Sequence, residues 1–160
     1  GCGGAGARAC CSLEAVARAR SCAEELGMPY HVIDLSEEFA LEVKKYFAEE
    51  YALGRTPNPC IYCNSRIKFG YMWEKAKGLG AEKLATGHYA RVVVKDGEYF
   101  LAEGLDKWQD QSYFLYDVKR GMLPFLEFPL GEFSKKAAIL LREVFLFLRL
   151  LNISILNGII

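Results

Sequence analysis

The sequence lacks a net charge, because twenty lysines and arginines balance twenty aspartates and glutamates. Proteins that bind nucleic acid without specificity carry a basic excess, so this balance argues against that class and leaves room only for a local basic patch. The apolar end of the chain also lacks a charge-free run of about 18 residues, since Arg142, Glu143 and Arg149 interrupt it. We therefore predict no membrane-spanning segment there.

A second C-x-x-C pair and a pair of closely spaced histidines are also missing; Cys60 and Cys63 form the only such pair. A tetrahedral zinc site needs two more ligands, and Cys10, Cys11 and Cys22 are irregularly spaced. Spacing alone leaves three interpretations open: half of a zinc or iron–sulfur site, redox or nucleophilic thiol chemistry, and two structural cysteines. We expect no secretory leader and therefore expect the six cysteines to be thiols in the cytoplasm.

The segment GRTPNPCIYCNSRIKFG, from Gly54 to Gly70, joins two amphipathic helical patterns. Its two prolines restrict the backbone, so we predict a stiff loop that presents Cys60 and Cys63 in a defined pose. Asn64 or Ser65 is expected to cap the following helix, which would place Cys63 beside the positive helix end. Such a position stabilises the thiolate, the reactive form, so we expect Cys63 to be the more reactive thiol.

Helical and strand patterns alternate along the first half of the chain. Apolar residues at helical spacing predict helices, and short apolar runs predict strands. The predicted helices are residues 12–26, 36–52 and 65–79, and the predicted strands are residues 30–35 and 82–86. This alternation predicts a parallel α/β sheet, in which ligands bind beyond the carboxyl ends of strands. Gly87 and His88 lie at such an end, whereas His31 is expected to pack in the core.

The pattern changes after Tyr89. Residues 89–95 and 98–103 alternate apolar and polar side chains around Asp96-Gly97, which predicts a hairpin with a type I′ turn. Residues 112–118 predict a short aromatic helix, whose rings are more readily explained by core packing than by stacking on bases. A last helix is predicted at residues 134–150.

Four blocks of the sequence resemble, in the same order, the tRNA-specific 2-thiouridylases, ATP-dependent enzymes that thiolate the wobble uridine of certain tRNAs. The blocks are the segment from Gly54 to Gly70, ATGHYAR, DQSYFL and FPLGEFSK. The stretch CCSLEAVARARSCAEELGMPYHVIDL also resembles the family's segment upstream of the first block, so the likeness covers roughly residues 10–136. It implies an incomplete Rossmann-like parallel sheet of the PP-loop ATPase type, with flanking helices and a β-hairpin.

In the mechanism that the resemblance implies, ATP, with Mg²⁺, adenylates the C2 oxygen of the uridine, a persulfide sulfur attacks C2, and AMP departs. Cys63 would be the nucleophile that releases sulfur from the persulfide through a disulfide. Cys60 stands where some members carry an aspartate that assists proton transfer, a task for which a thiol is less suited than a carboxylate. The persulfide would come from a sulfur-carrier or cysteine desulfurase relay protein.

The resemblance also assigns ligand contacts to particular residues. Gly87 would lie beside the nucleotide, and Asn58 to Cys60 would face the target base. The residues that it implies contact tRNA are Asn58, Pro59, Cys60, His88, Gln109, Asp110 and Gln111. The family usually has lysine at the position of Gln109, so this chain lacks a charge there that could pair with phosphate.

Two features of the family are missing from the sequence: its pyrophosphate loop of the form S-G-G-x-D-S, and a second catalytic cysteine beyond the matched region. We therefore expect residues 1–136 to be part of a nucleotide-binding catalytic domain, residues 137–160 to be a divergent apolar tail, and the isolated chain to be inactive. Two rival functions stay open. One is a tRNA thiolase with an iron–sulfur cluster held by Cys60, Cys63 and a third thiol; the other is a non-catalytic RNA-binding remnant.

Overall fold

The computed structural model describes residues 13–141. Within them the chain forms two compact units, the first ending at Asp34 and the second beginning at Leu35. The first unit contains one helix, Leu13–Glu25. The Tyr30 hydroxyl donates a 3.2 Å hydrogen bond to the Val16 carbonyl of this helix. The predicted first helix is confirmed, apart from its first residue, Ser12, which lies outside the described residues.

No strand forms at residues 30–35, so this predicted strand is wrong. A β-strand is stable only where a neighbouring strand takes up its backbone N–H and C=O groups. The two sheets of the described residues leave this segment unpaired. His31, predicted to pack in the core, is exposed, as is Val32 next to it.

The second unit begins with a helix built from three consecutive segments, Ser36–Phe39, the π-helical Ala40–Lys44, and Lys45–Ala52. The predicted helix at residues 36–52 is therefore confirmed. The helix ends at Ala52, and Gly54, two residues later, has a left-handed φ of 73°. Glycine adopts this conformation without a steric penalty, which is why it is common just after helices.

A longer helix follows after a short connection. It consists of Pro59–Tyr62, the π-helical Cys63–Met72, and Trp73–Gly78, and we call it the motif helix. The predicted third helix is confirmed, but it begins at Pro59 and not at residue 65. Its Phe69 and Trp73 are buried as predicted, whereas Leu79, predicted to face inward, is 57% exposed.

Two small sheets complete the unit. Strand β1 (Leu84–Ala85) pairs in parallel with β4 (Leu126–Glu127), which confirms the predicted parallel α/β class with a strand shorter than expected. Strands β2 (Ala90–Lys95) and β3 (Glu98–Glu103) form the predicted antiparallel hairpin. Asp96 and Gly97 at its turn have φ values of 52° and 78°, as a type I′ turn requires.

The remaining segments are short turns. Three 3₁₀ turns occupy Ser112–Phe114, Arg120–Phe125 and Pro129–Glu132. The predicted helix at residues 112–118 is thus wrong beyond its first turn, because Leu115 turns inward and is buried among the core side chains. The last helix is described over residues 135–141, and the rest of its predicted span lies outside the described residues.

The core joins the motif helix to both sheets. Its buried members are Phe69, Trp73, Ala90, Leu115, Met122, Leu123, Leu126 and Phe128. A turn of the chain packs unusually close to this core at Gly131, where an added Cβ atom would lie 1.8 Å from the Ala90 carbonyl oxygen. Only glycine fits there, and its fit brings the turn Pro129–Glu132 against β2.

Candidate functional site

Asn58 caps the motif helix. Its side-chain oxygen accepts a 3.1 Å hydrogen bond from the backbone N–H of Cys60, and its own backbone is extended, with φ −104° and ψ 98°. Pro59 follows at the first helical position, where its fixed φ suits the helix and its missing N–H costs nothing. Asparagine followed by proline therefore starts the helix here.

This start changes the placement of the two cysteines. The predictions that Asn64 or Ser65 caps the helix and that Cys63 lies at the positive helix end are wrong, because the cap is Asn58. Cys60 lies in the first turn and is exposed, whereas Cys63 lies one turn later and is half-buried. At a spacing of three residues the two side chains lie on the same face of the helix.

Asn64, which follows Cys63, is the only polar residue of the described chain that is fully buried, at 2% exposure. Its side-chain nitrogen donates a 3.2 Å hydrogen bond to the backbone carbonyl of Phe114. Its side-chain oxygen has no hydrogen-bond partner among the described residues. Asn64 therefore ties the motif helix to the segment that carries Asp110 and Gln111, a role that local sequence patterns do not indicate.

Aromatic rings surround the first turns of the motif helix. Tyr62 stacks on Tyr46 with ring centroids 3.6 Å apart and an interplanar angle of 15°, and the guanidinium of Arg66 lies 5.9 Å from the Tyr62 ring centroid. Desolvation, followed by the neighbouring Tyr62 and Glu50, raises the pKa of Tyr46. The phenol of Tyr46 is therefore neutral at physiological pH.

Arg55 lies just before the cap of the motif helix and forms two hydrogen bonds with Glu50, at 2.5 and 2.6 Å. The same hydrogen-bonded contact lowers the pKa of Glu50 and raises that of Arg55. Both groups are thus charged at neutral pH, and their opposite charges offset one another. Arg55 therefore adds less positive potential to this surface than an unpaired arginine would.

His88 lies beyond the end of β1, half-buried between two phenyl rings. The Phe69 and Phe128 ring centroids lie 6.1 and 6.0 Å from that of His88, and the Thr86 hydroxyl lies 2.7 Å from its Nδ1 atom. Burial, and then the positive charge of Lys68, lower the pKa of His88 to about 4. The imidazole is therefore neutral at physiological pH and able to exchange hydrogen bonds, but it is not a cation for phosphate.

Gly87, the residue predicted to lie beside a nucleotide, is exposed at the carboxyl end of the parallel strand pair. A Cβ atom added to it would meet only the Leu130 side chain, at an ordinary 3.8 Å. The described fold therefore does not itself require glycine at this position. The open backbone edge suits the close approach of a flat ligand.

The side chains of the segment Gln109-Asp110-Gln111 form hydrogen bonds within the chain. The backbone N–H of Gly104 and the hydroxyl of Ser112 each donate a 2.8 Å hydrogen bond to the Asp110 carboxylate. Desolvation opposes ionisation of Asp110, but the donors on Gly104 and Ser112 outweigh it and lower its pKa. The side-chain amide of Gln109 donates only to the adjacent Trp108 carbonyl, at 3.3 Å.

Gln111 connects this segment to His88. Its side-chain oxygen accepts a 3.1 Å hydrogen bond from the N–H of Tyr89, and its own N–H donates to the Tyr89 carbonyl at 2.8 Å. The structure thus brings Gln111 and His88 together through Tyr89, and it joins both to the motif helix through Asn64 and Phe69.

The described residues contain neither a cluster of metal-binding side chains nor a helix that could cross a membrane. Residues 13–141 contain no group of three or more histidine, cysteine, aspartate or glutamate side chains that could hold a metal ion. None of the helices in this range is both long and apolar enough to span a bilayer. The three described cysteines, Cys22, Cys60 and Cys63, form no disulfide.

Comparison with known proteins gives consistent matches. Residues 4–143 match the family described as the tRNA methyl transferase HUP domain. A tRNA-specific 2-thiouridylase of Carboxydothermus hydrogenoformans is 52% identical over 129 residues, which are 79% of this chain and 35% of that protein. One from Caldanaerobacter subterraneus is 46% identical over 138 residues, covering 85% of this chain and 38% of that protein. The chain therefore spans about a third of the length of these relatives.

Proposed function

The chain belongs to the family described as the tRNA methyl transferase HUP domain, and on that premise we propose that it is part of a cytoplasmic enzyme that replaces the C2 oxygen of a tRNA uridine with sulfur. One observation carries this proposal: about half of the matched residues are identical to those of proteins named tRNA-specific 2-thiouridylase. Two thiols on one face of a capped helix, Cys60 exposed and Cys63 half-buried, support it, because sulfur transfer needs cysteines within reach of the substrate.

In this proposal Cys63 is the nucleophile. The outer sulfur of a persulfide on the family's second catalytic cysteine attacks uridine C2, and AMP departs with the former C2 oxygen. The Cys63 thiolate then attacks the inner sulfur: the S–S bond to the transferred sulfur breaks, that sulfur stays on C2 as the thiocarbonyl, and Cys63 forms a disulfide with the second cysteine. Cys60 stands beside it on the same helix face, and Asn58 and Pro59 fix the turn that holds Cys60 toward the target base. The half-buried position of Cys63 limits its reaction with free oxidants, whereas a bound persulfide would reach it directly.

The described residues fit a nucleotide along one edge. Gly87 and the end of β1 would lie against it, because the open backbone there accommodates close approach. When bound, ATP with Mg²⁺ supplies the activation of the C2 oxygen as a leaving group. His88, neutral and hydrogen-bonded to Thr86, would stay beside this edge as a hydrogen-bonding group toward tRNA. Gln111 holds the backbone that carries it.

The family is described by methyl transfer, whereas the relatives are named for thiolation. The two reactions differ in what the protein must present. Thiolation uses nucleophilic thiols, and Cys60 and Cys63 lie on one face of the motif helix. We therefore favour thiolation, and the nucleoside product distinguishes the two reactions.

The proposal is tested in a chimera. The matching segment of the Carboxydothermus relative is replaced by this chain's segment, so that the other two thirds of that enzyme remain, and the chimera is produced in a bacterial strain without its own 2-thiouridylase. Mass spectrometry of hydrolysed tRNA then detects 2-thiouridine or methylated uridine. We expect 2-thiouridine with the chimera and none with its Cys63→Ser variant.

The matched control is Cys22→Ser, which removes an exposed thiol from a different helix. It should leave the thiouridine level unchanged. A chimera that folds but yields no thiouridine, or a Cys63→Ser variant as active as the parent, would overturn the proposal. Methylated uridine in its place would instead support methyl transfer, the reaction after which the family is described.

A further inference from the structure

Trp108 is the most exposed large apolar residue in the described part of the chain, at 95%. The other tryptophan, Trp73, is 5% exposed and packs in the core. Leaving an indole in water forgoes the stabilisation that burial of its apolar surface would give. Both faces of the Trp108 ring are thus available to another molecule.

The turn that carries Trp108 is held firmly by Asp106. One carboxylate oxygen of Asp106 accepts the backbone N–H of Trp108 at 3.1 Å, and the other accepts the backbone N–H of Lys135 at 2.9 Å. The Asp106 carbonyl also accepts the N–H of Gln109 at 3.0 Å. The exposed indole therefore projects from a fixed turn, so a ligand that stacks on it would not have to order the backbone first.

Positive charge lies beside this turn. Lys135 and Lys136 start the helix at residues 135–141, and both are exposed. Of the acids around this turn, Asp106 is directed at two backbone N–H groups, and Glu103 pairs with Lys107. An open aromatic ring beside exposed lysines complements an anionic chain that carries aromatic groups.

We infer that Trp108 is a stacking platform for an unpaired base of tRNA, with Lys135 and Lys136 binding the adjacent phosphates; this rests on the proposed function. The side chains of the neighbouring Asp110 and Gln111 form hydrogen bonds within the fold. The exposed group of this segment is the indole, and an indole face accepts any base. Trp108 is a binding residue that positions the RNA.

Fluorescence tests the inference directly. The Trp73→Phe variant of the 160-residue chain leaves Trp108 as its sole tryptophan, and circular dichroism checks its fold. Single-stranded oligouridylate should quench Trp108 emission, whereas an RNA duplex of equal length and inorganic polyphosphate should bind through charge without quenching. If Trp73→Phe does not fold, iodide quenching of the unaltered chain reports the same residue, because buried Trp73 is shielded from iodide.

Affinity gives the second measurement. Trp108→Ala should weaken oligouridylate binding about 5- to 150-fold, the loss that corresponds to one stacked base. Trp108→Phe should retain most of the affinity. Replacing both Lys135 and Lys136 by alanine should lower the salt slope of binding by about 1.4. Tyr99→Ala, which removes a partly exposed ring from the hairpin, is the matched control and should change little.

Three results would overturn the inference. They are equal affinities for Trp108→Ala and the unaltered chain, no RNA binding by the unaltered chain, and a blue shift of Trp108 emission that grows with protein concentration in the absence of RNA. The last result would show that a second copy of the chain covers the indole. None of them decides the proposed function, since thiolation by the chimera is measured separately.

Discussion

The side-chain amide of Asn64 donates a hydrogen bond to the backbone carbonyl of Phe114, fifty positions further along the chain. This contact fastens the helix of the two cysteines to the segment that holds His88 in place through Gln111 and Tyr89. The proposed sulfur-transfer residue and the proposed RNA contacts are therefore mechanically connected through one buried amide.

Replacing Asn64 by alanine should lower the free energy of unfolding by about 1–3 kcal/mol, because the Phe114 carbonyl would lose its buried donor. The unpartnered side-chain oxygen of Asn64 is removed at the same time, which places the loss toward the lower end of that range. Urea unfolding measures the change. Gln109→Ala, which removes an amide that donates only to the adjacent residue, should stay within about 0.5 kcal/mol. Equal losses in the two variants would contradict the role of Asn64.

The cap of the motif helix gives a second prediction. Asn58→Ala should destabilise the chain by about 0.5–2 kcal/mol and fray the first turn, because the Cys60 N–H loses its acceptor. Hydrogen exchange at Cys60 and Ile61 should accelerate more than exchange at Trp73. Asn58→Ser keeps a capping oxygen and should restore most of the protection; if it behaves like alanine, the cap does not hold this turn.

Local signals predicted most of the fold. The hairpin was predictable because Asp96-Gly97 favours a type I′ turn. The helix at residues 36–52 was predictable because its apolar residues recur at helical spacing and Gly54 follows its end. The start of the motif helix was also encoded, by Asn58 as cap and Pro59 at the first position. The predicted start at residue 65 is too late because it treats both prolines only as loop restraints, whereas Pro59 occupies the first helical position.

Non-local features were not predictable. The strand predicted at residues 30–35 has suitable composition, but strand formation depends on a pairing neighbour that composition does not specify. Asn64 likewise shows no signal of its own, since its partner lies fifty residues away. The hydrogen bonds of Asp110 are local, since its donors on Gly104 and Ser112 lie six and two residues away, but they depend on the shape of the turn between residues 104 and 110, which composition does not specify.

His88 should be neutral over the physiological range and protonate only near pH 4. An NMR titration of the His31→Gln variant, in which His88 is the sole histidine, should show an imidazole midpoint about 4. In the unfolded chain the same group titrates at about 6.5. Between these values the unfolded state binds the extra proton, so this histidine contributes stability above pH 6.5 that is lost as the pH falls to 4.

A matched variant separates this effect from the titration of carboxylates in the same range. His88→Asn keeps an acceptor near the Thr86 hydroxyl but does not titrate. Its unfolding free energy should fall less steeply between pH 6.5 and pH 4 than that of the unaltered chain. An imidazole midpoint near 6.5, or parallel pH profiles for the two proteins, would contradict the burial of His88.

The two cysteines of the motif helix should differ in their rates of alkylation, in the order opposite to that predicted from the sequence. Cys60 is exposed in the first helical turn, whereas Cys63 is half-buried one turn later, so a small electrophile reaches Cys60 more easily. Substoichiometric iodoacetamide followed by peptide mass spectrometry should find more adduct at Cys60. In the Cys60→Ser variant, slow labelling of Cys63 should remain. In 8 M urea the two thiols of the unaltered chain are equally exposed, so their labelling rates should lie within about threefold of each other. Faster labelling of Cys63 in the folded chain would show that its activation outweighs its burial, and it would strengthen the assignment of Cys63 as the nucleophile.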